Sequence, residues 1–267
     1  KGGLSAIRTD DLAALPLRHL LAKYPQLAGH IDEVILGCAN QSGEDNRNVA
    51  RMATLLAGLP ESTPAVTVNR LCASGLEAIG QGARAIALGE ADIILAGGVE
   101  SMSRAPYVMA KALEGFERTQ QLEDSTLGWR MINPKMREAY GVDSMAQTAE
   151  NLAEQFGISR SDQDAFAWRS QQRAATAIAD GRLDGEILSA GALTHDEHPR
   201  ADTTLEKLAA LKPITHAGGS ITAGNASGLN DGSTALLLAS ASALEKYGLS
   251  PRACITGMAS AGVAPRI

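Results

Sequence analysis

Residues 64–99 carry the clearest structural pattern in the chain, and they read PAVTVNRLCASGLEAIGQGARAIALGEADIILAGGV. Two short apolar runs, residues 64–68 and 92–99, have the length and composition of buried strands. Between them, residues 72–88 predict a helix. A strand, a helix and a second strand in this order favour a parallel sheet that is covered by helices on both faces.

The residues before this stretch continue the alternation of helix and strand. Residues 10–23 place leucines at near-helical spacing after an acidic start, and residues 31–38 form another short apolar run. Residues 48–58 predict a second helix, which Gly58 and the following Pro60 would end. The predicted fold class is therefore α/β.

The composition changes after Ser103. Residues 104–141 are rich in Met, Arg, Gln and Glu and show weak periodicity, so we expect an insertion here and not more of the sheet. The capping-box pattern, a Ser or Thr followed three residues later by Gln, Asp or Glu, predicts helix starts at Ser144, Ser159 and Thr203. Further on, residues 235–239 predict a buried helix, and residues 252–258 predict a strand.

Composition and charge narrow the classes of function. The 267 residues are 45% hydrophobic and 20% charged, which suits a globular chain with a sizeable core. No apolar run approaches the roughly 20 residues of a membrane helix, and no signal-peptide pattern opens the chain. A net charge of −6 gives no support to nucleic-acid binding, which usually needs a basic surface. We therefore expect neither a nucleic acid nor a membrane as partner.

The three cysteines, Cys38, Cys72 and Cys254, are odd in number and widely spaced. This pattern argues against a disulfide framework and against a zinc site, and it suits the reducing cytoplasm. Cys38 and Cys254 lie in apolar segments, so we expect both to be packing residues.

Cys72 has a different setting, because it falls where a predicted strand is followed by the first turn of a predicted helix. Unpaired backbone N–H groups and the helix dipole at such a position favour the thiolate, a nucleophile suited to acyl transfer. The small residues Ala73, Ser74 and Gly75 would let a substrate carbonyl approach. The alternative is a buried packing cysteine, and the pattern alone leaves both interpretations open.

Three segments, in this order, resemble the thiolases: NRLCASG (69–75), AGGVESMS (96–103) and ITAGNASGLNDG (221–232). The resemblance implies a five-layered α/β/α/β/α fold built from two similar halves, and a homodimer or homotetramer. It divides the chain into four parts: the N-terminal half (1–103), an inserted loop domain that binds coenzyme A (104–221), a return to the N-terminal half (222–249) and the start of the C-terminal half (250–267).

Two further segments, GEDNRNVARM (43–52) and GWRMINP (128–134), resemble the thiolases that cleave 3-oxoadipyl-CoA in aromatic-compound breakdown. Such enzymes use free CoA to form succinyl-CoA and acetyl-CoA, so that CoA is a substrate and no separate cofactor is implied. The alternatives are a thiolase for fatty 3-ketoacyl-CoA or acetoacetyl-CoA and a non-catalytic acyl-CoA-binding protein. A decarboxylating ketoacyl synthase is disfavoured by the segment 221–232 and by the insertion.

The resemblance assigns one catalytic residue and three binding residues. Cys72 would attack the 3-oxo carbon and carry the acyl group. Arg200 would lie along the CoA nucleotide, Ser227 would donate a hydrogen bond to the pantetheine arm, and Met136 would contact that arm; no metal is implied. The corresponding structural alternatives are a surface salt bridge, a loop-capping serine and a packing methionine.

The resemblance is incomplete in three respects. The thiolase segments Gly-His-Pro, Cys-x-Gly-x-Gly and Asn-Glu-Ala-Phe, which supply the acid/base histidine and a second cysteine, do not occur in residues 1–267, and we expect them beyond Ile267. Ser144 stands where many thiolases have a histidine, so that contact is not assigned. The span 186–195 is shorter than the charged hairpin that is usual there.

Three weaker patterns remain in the sequence. The segment GQGARA (80–85) fits a dinucleotide-binding fingerprint, but it falls within a predicted helix, so we expect its glycines to allow close helix packing. Arg130 and Lys135 are hypothesised to meet the distal carboxylate of a dicarboxylic acyl chain, because a cation is needed there. His195 and His198 lack the neighbouring ligands of a metal site, which favours a surface or CoA-binding role.

Overall fold

The structure, a computed structural model, describes residues 2–267, which form two compact units. The first unit comprises the residues up to Val108 with Asp124–Thr126 and Asn230–Ser260. The second comprises Met109–Glu123, Leu127–Leu229 and Ala261–Ile267. It covers most of the predicted insertion, residues 104–221, whose assignment as a CoA-binding loop domain stays a prediction.

The described residues contain eight α-helices and six strands. The helices are α1 (Thr9–Lys23), α2 (Val49–Leu56), α3 (Ser74–Ala87), α4 (Pro134–Tyr140), α5 (Met145–Phe156), α6 (Arg160–Ala179), α7 (Leu205–Ala209) and α8 (Ala241–Tyr247). The strands are β1 (Glu33–Gly37), β2 (Ala65–Val68), β3 (Ile93–Glu100), β4 (Tyr107–Met109), β5 (Leu122–Asp124) and β6 (Gly232–Ala239). None of the helices among residues 2–267 is both long and apolar enough to cross a membrane.

Four strands form one sheet in the first unit, in the order β2-β1-β3-β6, while β4 and β5 pair with each other. β1 is parallel to both of its neighbours, and Ile35 lies opposite Val66 of β2 and Ala96 of β3. β6 runs antiparallel to β3. The three predicted strands β1 to β3 therefore form the expected parallel sheet, and a fourth, antiparallel strand makes the whole sheet mixed.

The predicted helix over residues 235–239 is wrong, because these residues belong to β6. A short apolar run fits a buried helix and a buried strand equally well, so periodicity could not separate them. These residues pair with β3 as part of β6, which runs along the whole length of β3, and this pairing makes the segment a strand.

The predicted strand over residues 252–258 is also wrong, since these residues have no regular structure. Strands need a partner for their backbone N–H and C=O groups, and this segment pairs with no strand among the described residues. Cys254 is exposed, so its prediction as a packing residue is wrong as well.

Helices cover both faces of the four-stranded sheet, as predicted. Val34 and Leu36 of β1 lie in a core that includes Leu17 of α1, whereas Ile35 lies in a second core with Ala78 of α3. Successive side chains of a strand point to opposite faces, so the single strand β1 contributes to both cores. This arrangement places α3 directly on the sheet.

Two glycines let α3 approach its neighbours closely, which confirms the packing role predicted for the segment 80–85. A Cβ atom on Gly82 would lie 2.8 Å from Leu238 Cδ1 and 3.1 Å from Ile94 Cγ2. A Cβ atom on Gly80 would overlap the side chain of Met258. Both glycines lie inside the helix, where their backbone N–H groups are not available to a phosphate.

The first two predicted helix starts in the second unit are confirmed, since Ser144 and Ser159 cap α5 and α6 with their side-chain oxygens. The third helix, α7, begins one residue later than predicted. Thr204 caps α7, because its hydroxyl oxygen accepts from Lys207 N at 3.2 Å, whereas the hydroxyl of Thr203 donates to the carbonyl oxygen of Arg200 at 2.7 Å.

Candidate active site

Cys72 lies in the turn between β2 and α3, and its side chain is exposed. The helix begins at Ser74, with Ala73 as its N-cap residue, so Cys72 precedes the helix and does not lie in its first turn as predicted. An exposed thiol at this position contradicts the alternative of a buried packing cysteine.

Local polar contacts determine the shape of this turn. Asn69 Oδ1 accepts a hydrogen bond from Leu71 N at 2.9 Å, and Ser74 Oγ accepts one from Arg70 N at 2.8 Å. The Ser74 hydroxyl also donates to Leu71 O at 2.6 Å. Leu71 adopts a left-handed backbone conformation with φ at 47°, which is unfavourable for leucine and is maintained here by those contacts. They delay the start of the helix until residue 74.

The turn is also attached to the neighbouring strand and to α3. Asn69 Nδ2 donates to Ala39 O, just beyond β1, at 3.1 Å. Arg70 Nε donates to Glu77 Oε2 at 2.7 Å, and this bond lowers the pKa of the Glu77 carboxyl. Gly37 at the end of β1 is equally important, because a Cβ atom there would overlap the backbone of Ser74.

The start of α3 faces the cysteine turn without a side-chain cap. Ala73, the N-cap residue, has no side-chain oxygen that could accept from the first N–H groups of the helix. The N–H groups of Ala73 and Ser74 donate to Arg70 O and Leu71 O within the turn, at 3.1 and 3.0 Å, so it is the following N–H groups and the positive end of the helix dipole that attract negative charge. The arrangement therefore suits a thioester oxygen that becomes negative during acyl transfer.

Cys38 lies in the opposite environment, buried just after β1. Its sulfur lies 3.8 Å from Asp45 Oδ2 and 4.0 Å from Glu100 Oε1. Burial and these two carboxylates raise the pKa of the Cys38 thiol to about 12. Each carboxylate already accepts backbone N–H groups, Glu100 from Ala39 and Asp45 from Gly43. The cluster is therefore a set of satisfied hydrogen bonds around a protonated thiol, as expected for a packing cysteine.

The three predicted CoA-binding residues lie in the second unit, on separate segments, whereas Cys72 belongs to the first unit. Met136 is half-buried on α4, and Ser227 is exposed in the segment between α7 and β6. Arg200 is exposed in the segment before α7, and its Nη1 atom donates to the carbonyl oxygen of Glu197 at 2.9 Å.

Sequence reasoning missed two buried carboxylates next to the Ser227 segment. Glu150 of α5 accepts hydrogen bonds from Ser220 and Ile221, and Asp164 of α6 accepts one from Asn225. A signal was present, because an acidic residue on the inward face of an amphipathic helix requires a partner. The partners could not be identified, because they lie 61 to 71 residues further along the chain.

Comparison with known proteins places this geometry in a family. Residues 1–242 match the family "Thiolase, N-terminal domain". The chain is 61% identical to a beta-ketoadipyl-CoA thiolase of Pseudomonas aeruginosa and 58% identical to a 3-oxoadipyl-CoA/3-oxo-5,6-dehydrosuberyl-CoA thiolase of Escherichia coli. Both alignments cover 100% of this chain and 69% of the relative.

A solved structure agrees with the sequence comparisons. Human mitochondrial 3-ketoacyl-CoA thiolase, crystallised in complex with CoA, superposes with a TM-score of 0.83 at 36% identity. The match covers 93% of this chain and 63% of the human chain, so this chain spans less than two thirds of that structure. The predicted α/β fold and the resemblance in the three motif segments are thereby confirmed: the chain belongs to the thiolase family.

Proposed function

We propose that the protein is an acyltransferase that cleaves 3-oxoadipyl-CoA with free CoA into succinyl-CoA and acetyl-CoA, with Cys72 carrying the succinyl group. The observation that carries this proposal is the exposed Cys72 in a fixed turn at the start of α3. The substrate follows the names of the two relatives that are 61% and 58% identical to this chain.

The proposed reaction has two half-reactions. The Cys72 thiolate attacks the 3-oxo carbon, and the C2–C3 bond then breaks, with its electron pair passing to the acetyl-CoA enolate. The enolate takes up a proton, and the succinyl group remains on sulfur as a thioester. The thiolate of a second CoA attacks that thioester, which releases succinyl-CoA and regenerates the Cys72 thiolate. CoA acts as substrate throughout, and no separate cofactor takes part.

The N–H groups at the start of α3 support the first half-reaction, because they favour the negative charge that develops on the attacked oxygen. The enolate needs a proton donor in addition. The thiolase histidine and second-cysteine segments do not occur in residues 1–267, and this chain spans 69% of the length of the two bacterial relatives.

CoA binding is proposed for Arg200, Ser227 and Met136. The guanidinium of Arg200 is exposed and suits stacking on adenine and attraction of phosphate. The exposed hydroxyl of Ser227 can donate to an amide of the pantetheine arm, and the half-buried Met136 offers an apolar contact to it.

Intact-protein mass spectrometry of the full-length protein tests the proposal. Incubation with 3-oxoadipyl-CoA should add a succinyl group to the wild type and to Cys254→Ala, which removes another exposed cysteine, but not to Cys72→Ala. An adduct that persists in Cys72→Ala would refute the assignment of Cys72 as the nucleophile. No adduct, with CoA still bound, would favour the non-catalytic acyl-CoA-binding alternative.

A neutral analogue of equal length tests the acyl specificity. We expect 3-oxoadipyl-CoA to be cleaved at a higher kcat/KM than 3-oxohexanoyl-CoA, which carries a methyl group in place of the distal carboxylate. Equal values would favour the fatty 3-ketoacyl-CoA alternative. Arg130→Ala should reduce the preference if that residue meets the carboxylate, and an unchanged preference would exclude it.

The protein is further proposed to form a homodimer or homotetramer and to be located in the cytoplasm. β2 lies at one edge of the four-stranded sheet, and an edge strand has free backbone groups that a second copy can pair with. The three cysteines are free thiols, which suits a reducing compartment. Native mass spectrometry of the same sample gives the number of subunits, and a monomer would contradict the first part.

A further inference from the structure

Residues 219–226 precede Ser227 in the second unit, and buried carboxylates attach them to two helices. Glu150 extends from α5 and Asp164 from α6. Both side chains are almost completely buried, with exposed fractions of 9% and 5%. A buried carboxylate is costly unless several donors surround it, so the contacts of these two groups indicate what they stabilise.

Glu150 is surrounded by donors from one short segment. Its Oε1 atom accepts from Thr215 Oγ1 at 2.6 Å, from Ser220 N at 2.8 Å and from Ile221 N at 2.9 Å. Its Oε2 atom accepts from Ser220 Oγ at 2.8 Å. Burial acts to raise the pKa of this carboxyl, but the hydrogen bonds outweigh it and lower the pKa to about 2. Glu150 therefore stays charged at neutral pH.

Asp164 fixes the next part of the same segment. Its Oδ1 atom accepts from Asn225 Nδ2 at 3.0 Å, and its Oδ2 atom accepts from Arg160 Nε at 2.8 Å. Asn225 in turn closes the loop, because its Oδ1 atom accepts from Thr222 N at 2.7 Å and its amide group donates to Ser220 O at 3.1 Å. The asparagine thus links the carboxylate to both ends of the loop.

Tight packing leaves this loop little freedom. Thr222 is fully buried, and a Cβ atom on Gly224 would lie 2.5 Å from side-chain atoms of both Leu208 and Leu211. A loop with this packing and these buried charges has one favoured conformation. Ser227 follows this loop directly, and it is exposed.

We propose that Glu150 and Asp164 are positioning residues for CoA: they hold residues 219–226 in one conformation, so that the hydroxyl of Ser227 is presented to the pantetheine arm. This inference rests on the proposed role of Ser227 in CoA binding. The carboxylates do not touch CoA themselves, and their effect passes through the backbone of the loop.

Glu150→Gln in the full-length protein is the direct test. The substitution preserves size but replaces an acceptor with an amide nitrogen, which would face the N–H groups of Ser220 or Ile221. Glu154→Gln is the matched control, because Glu154 lies one turn later on α5 and is exposed. We expect the Kd and the KM for CoA to rise about tenfold or more in Glu150→Gln and to stay unchanged in Glu154→Gln.

Three further measurements separate positioning from general damage. The rate at which iodoacetamide alkylates Cys72 should be unchanged in Glu150→Gln, and kcat at saturating CoA should fall far less than kcat/KM. Hydrogen exchange should become faster in residues 219–228. A tenfold loss of Cys72 alkylation, or an unchanged KM for CoA with a lowered kcat, would overturn the positioning role.

A milder variant keeps the test decisive if Glu150→Gln does not fold. Thr215→Val removes one donor to Glu150 and should raise the KM for CoA about threefold. An unchanged KM would then overturn the inference. A wild-type protein that binds no CoA would instead refute the proposed function, whereas equal CoA binding by wild type and Glu150→Gln would refute only the positioning role.

Discussion

At the scale of single residues, Cys38 and Cys72 show how strongly the setting of a thiol determines its chemistry. Cys38 is 1% exposed beside two carboxylates, whereas Cys72 is exposed at the uncapped start of a helix. Thiolates, not thiols, attack electrophiles, so a thiol that is buried and kept protonated is unreactive. The two cysteines lie in one unit of the fold and have opposite expected reactivities.

We therefore predict that iodoacetamide at pH 8 modifies Cys72 and leaves Cys38 unmodified. Burial first, and then the charges of Glu100 and Asp45, raise the pKa of the Cys38 thiol to about 12, so the thiolate form is scarce at that pH. Peptide mass spectrometry after a time course gives the modified fraction at each site. Denaturation before labelling is the positive control and should expose Cys38. Labelling of Cys38 in the folded protein at a rate comparable to that of Cys72 would contradict the prediction.

At the scale of elements, the contact between β1 and α3 connects the sheet to the turn that holds Cys72, the proposed nucleophile. Gly37→Ala should destabilise the protein by about 1–3 kcal/mol, because the added methyl group would overlap the backbone of Ser74. The start of α3 must then shift, and we expect the acylation rate of Cys72 to fall about tenfold. Gly29→Ala is the control, since a Cβ atom there meets nothing within 4 Å. Chemical unfolding and rapid-quench mass spectrometry measure the two effects. Wild-type acylation in Gly37→Ala would show that the contact does not position Cys72.

Elements with strong local signals could be predicted from the sequence, and those that depend on distant partners could not. β1 to β3 and α1 to α3 follow from short apolar runs and helical spacing that are separated by Gly and Pro. β6 was missed because its apolar run fits a buried helix as well as a buried strand. Only its pairing with β3 makes it a strand. The local setting of Cys72 left a nucleophile and a packing cysteine both open, and only the resemblance to the thiolases made the nucleophile the prediction. Glu150 could not, since its partners Ser220 and Ile221 lie 70 and 71 residues away.

At the scale of the whole molecule, carboxyl groups link stability to pH. The hydrogen bond from Arg104 lowers the pKa of Glu44, and those from Ser240 and Ser242 lower the pKa of Asp92. Glu33 is an exception, because burial raises its pKa. In the folded state most of these groups therefore bind protons less readily than in the unfolded chain. The unfolded state takes up more protons on acidification, so the free energy of unfolding falls as pH falls.

Glu150 should be a large single contributor to this acid sensitivity. Its folded pKa of about 2 lies below the ordinary value of 4.5, so its stabilisation is complete above pH 4.5 and is lost as the pH falls towards 2. By linkage the contribution is at most about 3 kcal/mol. We expect the difference in Tm between wild type and Glu150→Gln to be largest near pH 7 and to shrink steadily from pH 5 to pH 3. Glu154→Gln should follow the wild type over the same range. A difference in Tm that does not change with pH would mean that the charge of Glu150 contributes nothing and that its shape alone supports the loop.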